Sequence, residues 1–448
     1  MTLPRLICPP GTLQPDDSGT GFSPIRLMEV ELTEPLPSIA WDGRYSKVWI
    51  VARLHTEPIG ECLIQFGRDG LTPTQLGTLL SAELHAPVSQ RFAAARLPAP
   101  AGIDSAGLKA DPQTWPFLCG RRALLAEAPL ISVVIPTRDR PDQLARCLAY
   151  LNCQEYPRFE VIVVENVPTD DSVRELVAAQ DGHIPYRYLA EPRSGVNWAR
   201  NTGIAGAAGT LIAFLDDDGK PDSHWLEGLA LGFARSEKVG CVTGIVLPAV
   251  LDTPAQELFE RLGGHSKGRA FERITFSRSG PQSPFFPLPP FGVGANMAFR
   301  KETLAKMGGL DVALGVGTPS LAGSETLALS MTLLSGYDIA YEPAALVWHH
   351  HRGDIDSLRS QLYGYSVGLT AFYAALIRNR PSVIPHLLTV LPHAARYLWS
   401  SAKKNSAGTS ELLAALDRRH GRGMLLGPVA YARSVRQQAR VRRAFMNS

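Results

Sequence analysis

Leu211 to Leu215 form an unbroken apolar run that stops at three successive carboxylates, Asp216, Asp217 and Asp218. An apolar run without polar alternation suits a strand covered on both faces, as in a sheet with helices packed on each side. Acids at the carboxyl end of such a strand sit at the rim where open α/β sheets bind ligands. Crowded carboxylates repel one another, and a divalent cation carrying phosphate oxygens relieves that repulsion. The stretch reads as a metal–diphosphate site or as an acidic turn closed by Gly219, and the residues alone leave both open. A calcium loop fits worse, because acids at alternate positions and a distal glutamate are missing.

Strands of the same character recur upstream as ISVVIP (131–136), FEVIVVEN (159–166) and YRYLAEP (186–192). Helical patterns separate them. In the first, Asp139 is the expected N-cap, Pro141 suits the first turn, and Leu144, Leu148 and Leu151 give the apolar face. In the second, VNWARNTGIAGAAG supplies small residues for close packing on a sheet. Such alternation predicts a right-handed βαβ array with a mostly parallel sheet, opening Thr137, Glu165 and Asp216 to Asp218 on one rim. Downstream come a helix with Leu226, Leu229 and Phe233 aligned, the strand CVTGIVLP, and a Gly/Ser/Pro/Arg-rich stretch at 252–290 expected to be a mobile loop. FGVGANMAFR returns to a strand, two helices follow, and IAYEPAALVWHHHR runs as a last strand into His349, His350 and His351.

The chain divides by composition. Residues 1–24 are rich in Pro, Gly, Thr and Ser and are expected to be flexible. Residues 25–92 read as a small α/β module, with strands RLMEVEL, KVWIVARL and ECLIQF and a helix whose Leu76, Leu79, Leu80 and Leu84 share a face. An Ala/Pro-rich linker is expected at 93–129, a main domain at 130–352, and a helical, basic region at 353–448. Six scattered cysteines without a C-x-x-C pair argue against a zinc or disulfide framework and for reduced, cytosolic thiols. Neither a secretory leader nor a spanning segment is expected, since the apolar stretch after Ser366 is cut by Arg378, Arg380 and Pro381. From 378 to 448 thirteen lysines and arginines face two acids, so with a total of +3 the rest of the chain carries −8.

Taken together, SVVIPTRDRPDQLARCL, VIVVEN, GVNWARNTGI, IAFLDDDGKPDSHWLE, GANMAFR with GGLD, and YEPAALVWHHHR resemble the ordered blocks of the family 2 glycosyltransferases of GT-A fold. The resemblance covers about Ile131 to Arg352, and VARLHTEPIG (51–60) resembles an N-terminal module of some bacterial members. It implies a Rossmann-like mixed sheet and transfer of a sugar from a nucleotide-diphosphate sugar, with inversion, to a glycan, lipid-linked or other acceptor in bacterial cell-surface polysaccharide biosynthesis.

By the same resemblance Pro136, Thr137 and Asp139 line the nucleotide pocket, and Glu165 with Asn166 bonds the base, Glu165 standing where most members carry aspartate. Asp216 contacts ribose or sugar, Asp217 belongs to the same donor site, and Asp218 holds a divalent metal that stabilises the leaving diphosphate. His349 is a further metal ligand, and its imidazole suits manganese better than magnesium. Arg200 is a candidate for phosphate and Asn296 for donor or acceptor; a surface ion pair and a capped strand end explain them as well.

The catalytic base is the departure. Where the family reads Gly-Glu-Asp, this chain reads Ser324, Glu325, Thr326, and a threonine hydroxyl is too weakly basic for that work. Glu325 is the remaining candidate, or it is an acid at a helix start capped by Ser324. The alternative is a sugar-nucleotide binding or scaffold protein that lost its base; a nucleotidyltransferase lacks the Gly-rich basic loop it needs after the first strand. Alternation along a strand lets His349 and His351 converge and turns His350 to solvent. Trp225 serves either an acceptor sugar or the core.

In the tail Arg433, Arg436, Arg440 and Arg443 share one helical face, with Tyr431, Val435, Phe445 and Met446 near the other. Such a helix fits an anionic membrane leaflet carrying a lipid-linked acceptor, with a cytoplasmic protein peripheral at the inner face of the cell membrane, or else a solvated tail. Nucleic acid is not expected as a partner, for no aromatic-interleaved basic surface accompanies the charge.

Overall fold

The computed structural model describes residues 5–7, 22–280, 291–389, 392 and 411–446, with side chains left aside at 411–420. Most of the N-terminal stretch expected to be flexible therefore lies outside the described residues, but Arg5–Ile7 forms strand β1. It pairs with β4 (Glu57–Gln65) at the edge of a four-stranded sheet ordered β1-β4-β3-β2, where β2 is Ile25–Glu31 and β3 is Lys47–Leu54. Helix α1 (Pro73–Ala94) starts on a Thr72/Gln75 capping box and buries Leu76, Leu80, Leu84, Val88 and Phe92 against this sheet.

The Ala/Pro-rich stretch runs without helix or strand from residue 95 to 115 and is nonetheless packed on this unit. It holds α2 (Pro116–Ala126), and Ile103, Leu108 and Trp115 complete the same core. Trp115 is 1% exposed and meets Phe92 edge to face, so one aromatic anchors a segment whose composition reads as linker.

The large sheet contains β5 (Ile131–Thr137), β6 (Phe159–Asn166), β7 (Tyr186–Glu191), β8 (Leu211–Phe214), β9 (Gly219–Pro221), β10 (Val239–Pro248), β11 (Ile274–Phe276), β12 (Met297–Arg300) and β13 (Asp338–His349). Its order is β11-β13-β10-β12-β8-β5-β6-β7, with β9 paired to β13. Strands β8, β5, β6 and β7 are parallel, as are β10 and β13, while β12 runs antiparallel between β8 and β10. The sheet is thus the mixed α/β sheet of a GT-A fold. Val133 faces one core layer with Leu144, Leu148, Leu226 and Leu229. Its neighbour Val134 faces the other, with Ile162, Ala199 and Leu329. Burial on both faces is why the strands read as continuous apolar runs.

Helices α3 (Pro141–Leu151), α4 (Ser172–Ala178), α5 (Val196–Gly206) and α6 (Trp225–Ala234) connect the strands. Asp139 does not cap α3. It sits at φ 53°, and its carboxylate accepts from Thr169 at 2.9 Å instead, while Arg140 holds the cap position. The expected loop at 252–290 contains α7 (Pro254–Arg261), started by a Thr253/Gln256 capping box, and β11 on the sheet edge; residues 281–290 lie outside the described residues. Helices α8 (Lys301–Met307) and α9 (Ser324–Leu334) precede β13, and Gly323, not Ser324, is the α9 cap residue.

Helix α10 (Ile355–Asn379) packs along α11 (Glu411–Met446), so the basic tail is docked over its described side chains and is not a free, solvated segment. Its inward face is Gly423, Gly427, Tyr431, Ser434 and Gln438. A Cβ at Gly427 would lie 2.0 Å from Thr370 Oγ1, so glycine permits the helix contact. Tyr431 donates to Asp311 at 2.7 Å, and Trp198 Nε1 donates to Gln438 at 2.6 Å. Among the described residues, no helix is long and apolar enough to cross a membrane.

Candidate active site at the carboxyl rim

The chain leaves β8 at Leu215, turns through the three acids, and re-enters the sheet as β9, which pairs Gly219 with His349 of β13. That pairing puts the last strand's histidine beside the acids. His349 Nε2 lies 3.4 Å from Asp218 Oδ1. From the end of β5, Thr137 donates to Asp217 Oδ2 at 2.8 Å, and Arg140 reaches Asp217 Oδ1 at 3.3 Å. From α5, Arg200 reaches Asp216 Oδ1 at 3.1 Å, its guanidinium buried under the Phe214 ring. Three separate segments therefore converge on one acidic turn.

Their environments differ. Burial, then the Asp218 charge, pushes the Asp217 carboxyl up to about 6, against Thr137 and Arg140. Burial also opposes ionisation of Asp218, but the His349 hydrogen bond and charge, with Arg140 and Arg352, hold it below the ordinary carboxylate range. His349 is likewise disfavoured by burial and raised overall by Asp218. The pair thus favours a carboxylate facing positive charge, whether a proton on the imidazole or a cation. An oxygen and a nitrogen converging in this way form a donor set that fits manganese or magnesium.

Glu165 ends β6 opposite Thr137, is 1% exposed, and accepts from Tyr188 at 2.7 Å. Burial raises its carboxyl first, followed by Asp170 and Asp139. Pro136 is buried within β5, paired with Val164. Two expected ligands are otherwise engaged. Asn166 donates to the Glu191 and Arg193 carbonyls and accepts from Gly195 N–H at 2.9 Å, which closes the loop before α5. Asn296 is fully buried, donates to the Ile245 and Ala345 carbonyls where β10 and β13 slip register, and accepts from Trp225 Nε1 at 2.9 Å. Asn166 is spent on backbone, Asn296 on backbone and the Trp225 indole, and Trp225 belongs to the core.

Glu325 is half-buried at the start of α9, beside Gly294, where an added Cβ would come 3.4 Å from its own Cβ. Lys267 and Tyr365 lie within its electrostatic reach, and Tyr365 also feels Asp216. Ser324 bonds Asn197 at 2.9 Å instead of capping. Arg140, Lys267, Arg352 and Tyr365 were not singled out by sequence; Arg140 alone had a signal, as a basic residue just past the first strand. His350 is exposed as expected, and His351 turns inward, 3.3 Å from His349.

Residues 132–308 match the model for Glycosyl transferase family 2. Glycosyltransferase AglE of Haloferax volcanii is 35% identical over 104 residues, 22% of this chain and 34% of that protein. The pre-mycofactocin glycosyltransferase of Mycobacterium tuberculosis is 29% identical over 247 residues, 53% of this chain and 46% of that protein. The chain thus spans between a third and a half of the length of these curated relatives. Among solved structures, mannosyltransferase PcManGT from Pyrobaculum calidifontis, in complex with GDP-Man and Mn2+, is 19% identical with a TM-score of 0.42, covering 72% of this chain and 92% of that one.

Proposed function

We propose that this chain, whose residues 132–308 match the model for glycosyl transferase family 2, transfers a glycosyl group from a nucleoside-diphosphate sugar to an acceptor hydroxyl, with inversion at the anomeric carbon. The observation that carries the reading is the convergence of Thr137, Arg140, Arg200 and His349 on Asp216, Asp217 and Asp218. Asp218 and His349 hold a divalent cation, manganese or magnesium, which when bound neutralises charge on the departing diphosphate. Arg200 fixes Asp216 toward ribose or sugar, and Thr137 and Arg140 fix Asp217 behind it. Glu165 and Asp139 line the nucleoside end. Glu325 takes the proton of the attacking acceptor hydroxyl. Asn166 and Asn296 have no place in this reading except as staples of the loops that carry the others.

The acceptor is a glycan or a lipid-linked intermediate. Leu425, Leu426 and Val429 are exposed on α11 together with Arg433, Arg436 and Arg440, which supports contact of that face with an anionic membrane. A thermal-shift panel of UDP, GDP, dTDP and CDP, each with and without manganese, tests the donor site. One nucleotide raises the melting temperature of the wild type only with metal, and Asp218→Asn abolishes the effect; no stabilisation by any of them defeats the reading.

A further inference from the structure

We propose that His265, His349 and His351 form a second metal site, for a borderline transition ion such as zinc, distinct from the rim that faces the diphosphate. Ligand nitrogens of the three imidazoles all lie within 4.8 Å of one another. The Nδ1 atoms of His349 and His351 are 3.3 Å apart. Two nitrogens bound tetrahedrally to zinc at its usual bond length are separated by about 3.3 Å.

The outer nitrogens carry the complementary signature. His351 Nε2 lies 2.6 Å from Glu260 Oε1, and His349 Nε2 lies 3.4 Å from Asp218 Oδ1. A carboxylate behind an imidazole fixes the proton on the outer nitrogen and frees the inner one as a ligand, the usual arrangement around bound metal ions. Both Nδ1 lone pairs then point at each other, which is repulsive unless a proton or a metal cation lies between them. His265 supplies the independent observation. It is 8% exposed, and its Nε2 has no hydrogen-bond partner among the described residues. A buried polar nitrogen left unpaired is costly, and coordination removes that cost.

His265 lies between α7 and β11, whereas His349 and His351 belong to the end of β13. An ion among them ties the 262–273 segment to the sheet. That segment also carries Lys267, which faces Glu325. His349 meets the two sites through different nitrogens, so filling the three-histidine site places the Nε2 proton against Asp218 and weakens His349 as a ligand at the rim. The inference needs only the three imidazoles and stands apart from the donor-site reading.

The test uses the full chain, stripped with chelator and titrated with zinc against a competing indicator and with cobalt(II) by visible absorption. The wild type binds one equivalent of zinc, and cobalt gives the intense visible bands of a four-coordinate site. His265→Ala and His351→Gln lose the bands, and Glu260→Gln weakens zinc about 10- to 100-fold. Stabilisation of His265→Ala by nucleotide with manganese persists, which separates this site from the rim. Should His265→Ala fail to fold, His265→Phe keeps a ring against Phe259 and gives the same readout. Wild type that binds no zinc, or bands that survive in the folded His265 variant, overturns the proposal.

Discussion

The junction between the N-terminal unit and the large sheet, and the carboxyl rim of that sheet, are both built from buried carboxylates, yet they settle their charge differently. At the junction each acid has a guanidinium against it. Arg53 lies between Glu29 and Asp222, Glu57 between Arg91 and Arg273, Glu342 between Arg235 and Arg273, and Glu227 meets Arg121. At the rim three acids stand in sequence, two of them meet one arginine each, and Asp218 faces an imidazole. A carboxylate paired with guanidinium is satisfied and holds two layers in register. A carboxylate paired with imidazole keeps charge for a ligand. Buried charge is therefore not in itself a mark of function here; the identity of the partner is.

The strongest way to break that contrast is to neutralise one charge from each region. Glu325→Gln lowers turnover about 10²- to 10⁴-fold while the melting temperature and the stabilisation by nucleotide with metal stay at wild-type values. Equal loss of turnover and of folding would place Glu325 with the structural acids. Arg53→Ala does the opposite. It strands Asp222 and Glu29 without their shared partner, Arg53 itself being 8% exposed. Unfolding by urea then shows a loss of about 3–5 kcal/mol, with turnover per folded molecule unchanged.

A third substitution sharpens the comparison through pH. Glu61 of β4 has burial, then the charge of Glu260, against its ionisation, and its carboxyl is pushed up to about 8 from 4.5. The folded state then holds this proton more tightly than the unfolded chain between pH 4.5 and about 8, so its contribution to stability falls as pH rises through that window. Glu61→Gln cannot ionise. Its stability at pH 8 exceeds that of the wild type by roughly 2–4 kcal/mol, and the two curves meet near pH 4. Parallel curves would mean that Glu61 has a cation beside it, as Glu29, Glu57, Glu227 and Glu342 do.

How far this contrast is legible in sequence follows from where each partner lies along the chain. The acids at 216–218, the strand before them and the late histidine are contiguous blocks, so the rim could be drawn before the fold was known. Asn166 and Asn296 stand within the same blocks, where the residues alone do not separate a ligand from a loop staple. An amide suits a ligand or a loop carbonyl equally well, and the carbonyls that claim Asn296 belong to Ile245 and Ala345. Lys267 and Tyr365 come from segments with no pattern of their own, placed only by β11 and α10. The junction was invisible for the same reason, since Arg53 and Asp222 are far apart in the chain and each alone resembles any surface charge. The docking of α11 escaped because its inward face is glycine, serine, glutamine and a tyrosine, whereas its arginine stripe dominates the periodicity.

That helix supplies the smallest test. Its inner face holds Gln438, 3% exposed, which accepts from Trp198 Nε1 at 2.6 Å, and Trp198 is two residues before Arg200 on α5. Gln438→Ala leaves a buried indole N–H unpaired and costs about 1–2 kcal/mol, read as a lower melting temperature. Arg436→Gln and Arg440→Gln change only the exposed face, so the melting temperature holds while flotation with anionic vesicles falls. If the packing of α11 serves only to present the arginines, Gln438→Ala keeps wild-type stabilisation by nucleotide with metal. If that stabilisation falls too, the shift has passed along α5 to the Arg200 contact with Asp216, and the tail belongs with the rim, not with the junction.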